Sequence, residues 1–150
     1  MTQRLDFFTI GAGAMKAFGA VSGYLGECGL PGGLIDLVYL RVSLINGCAY
    51  CIDKHSRDLL KQGMSVDKLV LVPVWYEAGE LFTARERAAL KWAETVTRVA
   101  ETAVPDADYA EVRAEFSEQE LVDLTIAIGL MNALNRQAIS FRLVPAAAKH

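Results

Sequence analysis

Apolar residues recur every three or four positions along most of this chain, and that spacing predicts helices rather than strands. A first helix is predicted from about Asp6 to Glu27, ending near Gly29. A second helix is predicted to begin at Pro31, because proline lacks only an N–H that the first turn leaves unpaired. It ends at Asn46-Gly47, a typical stop signal. Its predicted face comprises Leu34, Leu37, Val38, Arg41, Val42 and Ile45.

Two capping boxes mark later helix starts: Thr83 with Glu86, and Ser117 with Glu120. The alanine-rich tail after Pro145 is expected to fray. With the glycine and proline stops, these signals predict helices over residues 48–62, 65–72, 83–100, 105–115 and 117–143, and a loop over 73–80 that holds Trp75 and Tyr76.

The length of 150 residues suits a single domain over residues 1–150. Apolar residues make up 53% of the chain, above the ~45–50% of an average soluble protein. No uninterrupted apolar run approaches the ~18 residues of a membrane span, so no membrane partner is expected. The excess of apolar residues favours burial between subunits.

The net charge of −3 and the absence of any cluster of Lys and Arg argue against nucleic-acid binding. The first six residues do not resemble a secretory signal, so a cytoplasmic location is expected. Two of the three cysteines stand in a CxxC motif, which in a cytosolic chain is typical of redox or metal chemistry. Cys28, the third, is interpreted as a buried apolar residue.

The chemistry centres on Cys48, Cys51 and His55, which form one stripe if their segment is helical. The two sulfurs are then close enough for a disulfide. Cys48 lies near the helix start, where the dipole favours a thiolate. Cys51 lies one turn before His55, which can act as its base. These two effects favour different sulfurs, so the residues alone leave the nucleophile open.

Two other interpretations of the motif are weaker. In the first, the cysteines simply pack as small apolar residues. A zinc site needs at least three ligands, and Cys48, Cys51 and His55 would have to supply them, since His150 lies at the terminus. We therefore expect no metal and no other cofactor.

Three segments of the chain resemble the alkylhydroperoxidase (AhpD-like) and carboxymuconolactone decarboxylase family. The first is Leu40-Arg41-Val42-Ser43 with Asn46-Gly47-Cys48-Ala49-Tyr50-Cys51 and His55. The others are Phe82-Thr83 with Glu86-Arg87-Ala88-Ala89-Leu90 and Ala93-Glu94, and Asn132-Ala133-Leu134-Asn135-Arg136. The resemblance implies an all-α AhpD-like fold and a homo-oligomer, commonly built on trimers.

In the peroxidase branch of that family, the resemblance implies that Cys51 attacks the peroxide, Cys48 closes the disulfide and His55 shuttles protons. The acid of the relay falls on Asp36, twelve residues before Cys48, where the family usually has Glu. Because Asp is one methylene shorter, its contact with His55 is expected to need a bridging water. The usual Gln after the Ser is Leu44 here.

The resemblance therefore implies a thiol-dependent peroxidase that reduces organic hydroperoxides. A dithiol donor, such as a thioredoxin-like or lipoyl-bearing protein, would reopen the disulfide. Two alternatives remain: a carboxymuconolactone-decarboxylase-like reaction on a ring lactone, which does not need the dithiol, and a non-catalytic redox sensor. Arg41 is interpreted as a structural ion-pair partner. Asn132, Asn135 and Arg136 are interpreted as residues that hold helices together or meet another subunit.

Overall fold

The structure, a computed structural model, describes residues 2–148, and no strand occurs in that range. The all-α prediction is therefore confirmed. The helices are α1 (Phe7–Ile10), α2 (Ala12–Glu27), α3 (Gly32–Asn46), α4 (Ala49–Lys61), α5 (Val66–Leu71), α6 (Ala84–Thr97), α7 (Val99–Thr102), α8 (Asp106–Glu115) and α9 (Glu118–Ser140). Short 3-10 turns span Val72–Glu77, Gly79–Leu81 and Ala146–Ala148.

Helix α3 is the centre of the fold, with α4, α6 and α9 packed around it. One side of α3, which includes Val38 and Val42, packs into a core with α6, α8 and α9. Its other side, which includes Leu37 and Leu40, packs into a second core with α4 and the segment around Trp75. Because both sides of α3 are buried, its sequence is apolar almost throughout.

Local chemistry defines the helix ends where the sequence predicted them. The Thr83 and Ser117 hydroxyls accept hydrogen bonds from the backbone N–H of Glu86 and Glu120, respectively. The carboxylates of these glutamates in turn accept hydrogen bonds from the backbone N–H of Thr83 and Ser117. Both predicted capping boxes are therefore confirmed. Gly47 ends α3 with φ +70°, a left-handed conformation that glycine adopts without steric cost.

Two predicted elements were wrong. The first helix is broken at Gly11, because Asp6 caps a separate single turn, α1. The break brings the Phe7 carbonyl oxygen to 3.0 Å from where a Cβ of Gly11 would lie. The predicted loop over residues 73–80 is instead two 3-10 turns, in which the Trp75 side chain is buried.

Three segments of the chain also differ from the sequence prediction at their ends. Helix α6 stops at Thr97 and the separate turn α7 follows it. Helix α9 stops at Ser140, after which the Leu143 N–H bonds the Ala138 carbonyl at 2.9 Å. The part of the tail that the structure describes is held in place, since the Ala147 N–H donates to Asp53 at 3.1 Å. His150, weighed above as a zinc ligand, lies outside the described residues.

Within residues 2–148 the structure contains no helix that is both long and apolar enough to cross a membrane.

Candidate active site

The CxxC motif opens helix α4. The left-handed turn at Gly47 places Cys48 at the N-cap, Cys51 in the first turn and His55 one turn further on. All three side chains are buried, and both cysteines are free thiols. The predicted stripe on one helix face is therefore present, and it faces inward.

The two thiols share one hydrogen bond, and this interaction makes them unequal. The pKa of Cys48 is lowered to about 7, chiefly because the Cys51 thiol donates to it; burial opposes the shift, and the N–H groups of Cys51 and Tyr50 add to it. The pKa of Cys51 is raised, first by that same bond and then by burial. The first negative charge of the pair therefore rests on Cys48, the sulfur at the helix start.

Asp36 and His55 are in direct contact. The Nδ1 atom of His55 lies 3.0 Å from Oδ1 of Asp36, and Gln62 Nε2 donates to the other carboxylate oxygen at 2.6 Å. The expectation of a bridging water was therefore wrong: α3 and α4 pack closely enough for the shorter Asp side chain to reach. Burial raises the pKa of Asp36, but the hydrogen bonds from His55 and Gln62 outweigh it, and the net pKa lies below the ordinary 3.8.

A cavity of about 470 Å³ lies beside this pair. Cys51, His55 and Asp36 all line it, whereas Cys48 is not among its lining residues. The remaining lining is mainly aromatic and aliphatic: Phe7, Phe8, Met15, Phe18, Gly19, Ser22, Tyr39, Tyr50, Lys54, Asp58, Leu130, Met131, Leu134, Ala138 and Leu143. The site therefore offers one thiol and one imidazole to an apolar ligand.

Tyr39 packs on the imidazole of His55, with ring centroids 5.1 Å apart. Its pKa is raised to about 12 by burial and by the charge of Asp36. The phenol is therefore neutral at physiological pH and forms a fixed wall of the site.

A buried polar network from α9 lies against the motif. Asn135 donates through Nδ2 to Ser43 Oγ at 3.1 Å, and its Oδ1 accepts from Asn46 Nδ2 at 3.0 Å. Its Nδ2 also donates to Met131 Sδ at 3.3 Å. The nearby amide helps to lower the pKa of Cys48 and opposes the rise in the pKa of Cys51. The sequence interpretation of Asn135 as a residue that holds helices together is therefore confirmed, since these bonds join α9 to α3.

Sequence reasoning did not assign Gln62 to the site; it gave Gln62 only as the last residue of the predicted helix over residues 48–62. A signal for Asn135 did exist, because a polar residue on the core-facing side of an apolar helix must find partners when it is buried. Gln62 gave no such signal, since it lies at the end of α4, where polar residues are ordinary.

The ligand atoms of Asp36, His55 and Asp58 lie within 4.8 Å of one another. This set differs from the Cys48, Cys51 and His55 set considered from the sequence. Its members already have protein partners: Asp36 binds His55 and Gln62, and Asp58 accepts from Lys54 at 2.6 Å. These contacts account for the cluster without a metal ion.

Comparison with known proteins establishes the family. The carboxymuconolactone decarboxylase family matches residues 12–95. The uncharacterized protein YdfG of Bacillus subtilis is 32% identical over 140 residues, which cover 93% of this chain and 95% of YdfG. The chain therefore belongs to the carboxymuconolactone decarboxylase family.

Similar crystal structures include the following two. A protein of unknown function from Agrobacterium tumefaciens, a candidate antioxidant defence protein AhpD, matches with a TM-score of 0.92 and 39% identity, over 96% of this chain and 98% of that one. An uncharacterized peroxidase-related protein from Ralstonia eutropha, an alkylhydroperoxidase AhpD core, matches with a TM-score of 0.80 and 23% identity, over 92% and 73% of the two chains. The fold is therefore the AhpD-like all-α fold. At 23% identity, the second match is evidence for a shared fold but not for a shared activity.

Proposed function

We propose that this protein is a thiol-dependent peroxidase that reduces organic hydroperoxides through the Cys48–Cys51 dithiol. The observation that carries the proposal is the shared lining of one apolar cavity by Cys51, His55 and Asp36, next to a dithiol that ionises near pH 7. A thiolate is the species that attacks a peroxide. The apolar lining supports an organic hydroperoxide as the substrate.

The first step oxidises Cys51, the cysteine that lines the cavity. Its proton passes to the Cys48 thiolate, to which it is already hydrogen-bonded, and its sulfur attacks the terminal peroxide oxygen. The O–O bond breaks and Cys51 becomes a sulfenic acid. Protonated His55 gives its proton to the departing alkoxide, which leaves as the alcohol.

The second step protects that sulfenic acid from further oxidation. Cys48 attacks the Cys51 sulfur, the S–O bond breaks, and the hydroxide leaves with the Cys48 proton as water. A disulfide now joins the two residues. Asp36 contributes by binding Nδ1 of His55, which fixes the ring and leaves Nε2 for proton exchange.

An external dithiol restores the resting state by thiol–disulfide exchange. Its two thiols become a disulfide, and both cysteines return to the reduced form. A thioredoxin-like or lipoyl-bearing protein has this chemistry. We further propose that the protein acts in the cytoplasm as a homo-oligomer.

The test is steady-state consumption of cumene hydroperoxide by the reduced protein, with a dithiol to regenerate it. Wild-type protein should turn over. Cys51→Ser should abolish turnover, because the attacking sulfur is lost. Cys28→Ser is the matched control and should leave the rate unchanged, since Cys28 does not line the cavity.

Cys48→Ser separates the two steps. It should consume about one equivalent of peroxide and stop, more slowly than wild-type protein because the Cys48 thiolate that accepts the Cys51 proton is missing, and leave a Cys51 sulfenic acid that dimedone labels. Peroxide turnover in Cys51→Ser would overturn the mechanism. No turnover in wild-type protein would overturn the peroxidase proposal and leave the lactone reaction or redox sensing as the next candidates.

A further inference from the structure

The two cysteines of the motif line different cavities. Cys51 lines the apolar cavity of about 470 Å³, whereas Cys48 lines a second cavity of about 410 Å³. Neither cysteine is among the lining residues of the other's cavity. Tyr50, Ala138 and Leu143 line both cavities and therefore form the wall between them. A molecule in the second cavity would lie beside Cys48 without occupying the space proposed for the peroxide.

The second cavity is basic. Arg4 and Arg142 line it together with Gly47, Ala49, Ile139 and the residues named above, and none of the described lining residues is Asp or Glu. Both arginines are exposed. Within residues 2–148 neither of them forms an ion pair. The cavity therefore presents two positive charges that no carboxylate of the protein neutralises, and this favours an anionic ligand.

Arg142 is held in a backbone conformation that is unusual for a residue with a side chain. Its φ is +55°, in the left-handed region. It follows the end of α9, where its N–H bonds the Ile139 carbonyl at 3.2 Å and the Leu143 N–H bonds the Ala138 carbonyl at 2.9 Å. Glycine is the usual residue at this position of such a helix end. An arginine there has a conformational cost, and costs of this kind cluster at functional sites.

The end of α9 does not need Arg142 for capping, because Arg4 already supplies a cation there. Nη1 of Arg4 donates to the Ser140 carbonyl at 3.0 Å, and its backbone N–H donates to the Phe141 carbonyl at 2.9 Å. A cation at a helix C-terminus is favoured by the helix dipole, so Arg4 has a structural explanation. The charge of Arg142 is left to face the second cavity.

We propose that the second cavity is the entrance for the reductant, a small dithiol with an anionic group, which attacks Cys48 of the oxidised protein while Arg142 binds its negative charge. This inference rests on the proposed dithiol cycle and narrows its electron donor. Cys48 is only 1% exposed. A flat protein surface therefore cannot touch its sulfur, whereas a small dithiol can enter the cavity.

The exchange proceeds in two steps. A donor thiolate attacks the Cys48 sulfur, the Cys48–Cys51 bond breaks, and Cys51 leaves and takes up a proton that the donor has released. The second donor thiolate attacks the donor sulfur of the mixed disulfide, and Cys48 leaves. The donor loses two electrons and becomes a cyclic disulfide, and the protein gains them. The pKa of Cys48 is lowered to about 7, chiefly by its hydrogen bond with Cys51, and a thiol of low pKa leaves faster.

The test follows the reduction of oxidised protein without any peroxide. Dihydrolipoate and dihydrolipoamide have the same dithiol, but only the first has a carboxylate. Their rates are measured by alkylation and mass spectrometry and divided by their rates with the neutral disulfide 4,4′-dithiodipyridine. Wild-type protein should prefer dihydrolipoate by about fivefold at low salt, the upper range for an exposed ion pair. The preference should fall as salt screens the charges.

Arg142→Gly should remove most of this preference, and Arg142→Lys should retain it. The glycine variant should fold, because glycine adopts the left-handed conformation without steric cost. Arg98→Ala is the matched control: it removes the same charge from the end of α6, and Arg98 does not line the cavity. Equal rates with the two dithiols in wild-type protein would overturn the proposal. So would a preference that persists in Arg142→Gly, or an equal loss in Arg98→Ala.

A second measurement tests which cysteine the basic cavity serves. Cys51→Ser and Cys48→Ser, each combined with Cys28→Ser, leave one thiol at a time. Each is reacted with the dianionic disulfide 5,5′-dithiobis(2-nitrobenzoate) and with 4,4′-dithiodipyridine. The ratio of the two rates should be severalfold higher for Cys48 than for Cys51, and an equal ratio would overturn the proposal. Cumene hydroperoxide turnover is measured separately, so this inference and the peroxidase proposal can fail independently.

Discussion

At the scale of single residues, the site depends on how Asp36 is held. Its two carboxylate oxygens have separate partners, His55 on one and Gln62 on the other. These bonds outweigh the cost of burial and keep the carboxylate charged well into the acid range. A charged Asp36 can both orient the imidazole and stabilise its protonated form.

Asp36→Asn should reduce peroxide turnover by about 10²-fold, because the amide keeps the size but cannot stabilise protonated His55. The measurement is kcat/KM for cumene hydroperoxide. Asp58→Asn is the matched control: Asp58 also lines the cavity, but its hydrogen bond is to Lys54. Equal losses in the two variants would contradict a specific role for Asp36.

Asp36→Asn also tests how the free energy of unfolding depends on pH in the acid range. The folded pKa of Asp36 is depressed, so its contribution to stability is present above its ordinary value of 3.8 and is lost as pH falls further. The difference in free energy of unfolding between wild-type and Asp36→Asn should therefore shrink as pH drops below about 4. Urea unfolding between pH 7 and pH 3 measures it; a difference that grows toward low pH would contradict this sign.

At the scale of helices, Gly47 positions the motif. Its left-handed conformation ends α3 and turns the chain so that Cys48 becomes the first capping residue of α4. A Cβ on Gly47 would meet no atom within 4 Å. The requirement for glycine is therefore conformational rather than a matter of space.

Gly47→Ala should destabilise the protein by about 1–2 kcal/mol, the usual cost of a left-handed conformation for a residue with a side chain. Gly129→Ala is the matched control, since Gly129 lies inside α9 and also has open space around it. That substitution should be neutral or stabilise by up to about 1 kcal/mol. Equal effects on the melting temperature would show that φ at Gly47 does not matter.

Elements defined by local chemistry were the ones the sequence could predict. The Thr83 and Ser117 capping boxes, the Gly47 stop and the inward stripe of α4 all depend on residues within one or two turns of each other. The break at Gly11 depends on a competing local cap at Asp6, which the apolar spacing hides. The 3-10 turns around Trp75 depend on a distant partner, because its indole N–H donates to Glu94 of α6 at 2.6 Å.

The residues of the candidate site also fall into two groups, those that local spacing predicts and those that depend on how the helices pack. The spacing of the motif was enough to place Cys48, Cys51 and His55 together. The direct contact of Asp36 with His55 depends on how closely α3 and α4 pack, which no spacing rule gives. The bonds of Asn135 to Asn46 and Ser43 span more than eighty residues of sequence, so these partners could only be found once α9 was docked.

At the scale of the whole molecule, the dithiol belongs to the core rather than to the surface. Cys48 is 1% exposed and Cys51 is 5% exposed, and both pack in the core shared by α3, α6, α8 and α9. The two residues lie one helical turn apart, so closing a disulfide needs only a local adjustment. Arg41 forms an ion pair with Glu94, in which Nη2 of Arg41 lies 2.7 Å from Oε1 of Glu94. This contact confirms the interpretation of Arg41 as a structural ion-pair partner.

Oxidation should therefore leave the assembly unchanged, which distinguishes a peroxidase from a sensor that responds by changing its oligomeric state. Size-exclusion chromatography with light scattering on fully reduced and fully oxidised protein should give one mass, and the proposed homo-oligomer requires a multiple of the 16.4 kDa chain. Cys48→Ser given the same oxidant is the control, because it cannot form the internal disulfide. A mass that changes on oxidation in wild-type protein but not in Cys48→Ser would favour the sensor, because the internal disulfide would then control the assembly despite its buried position.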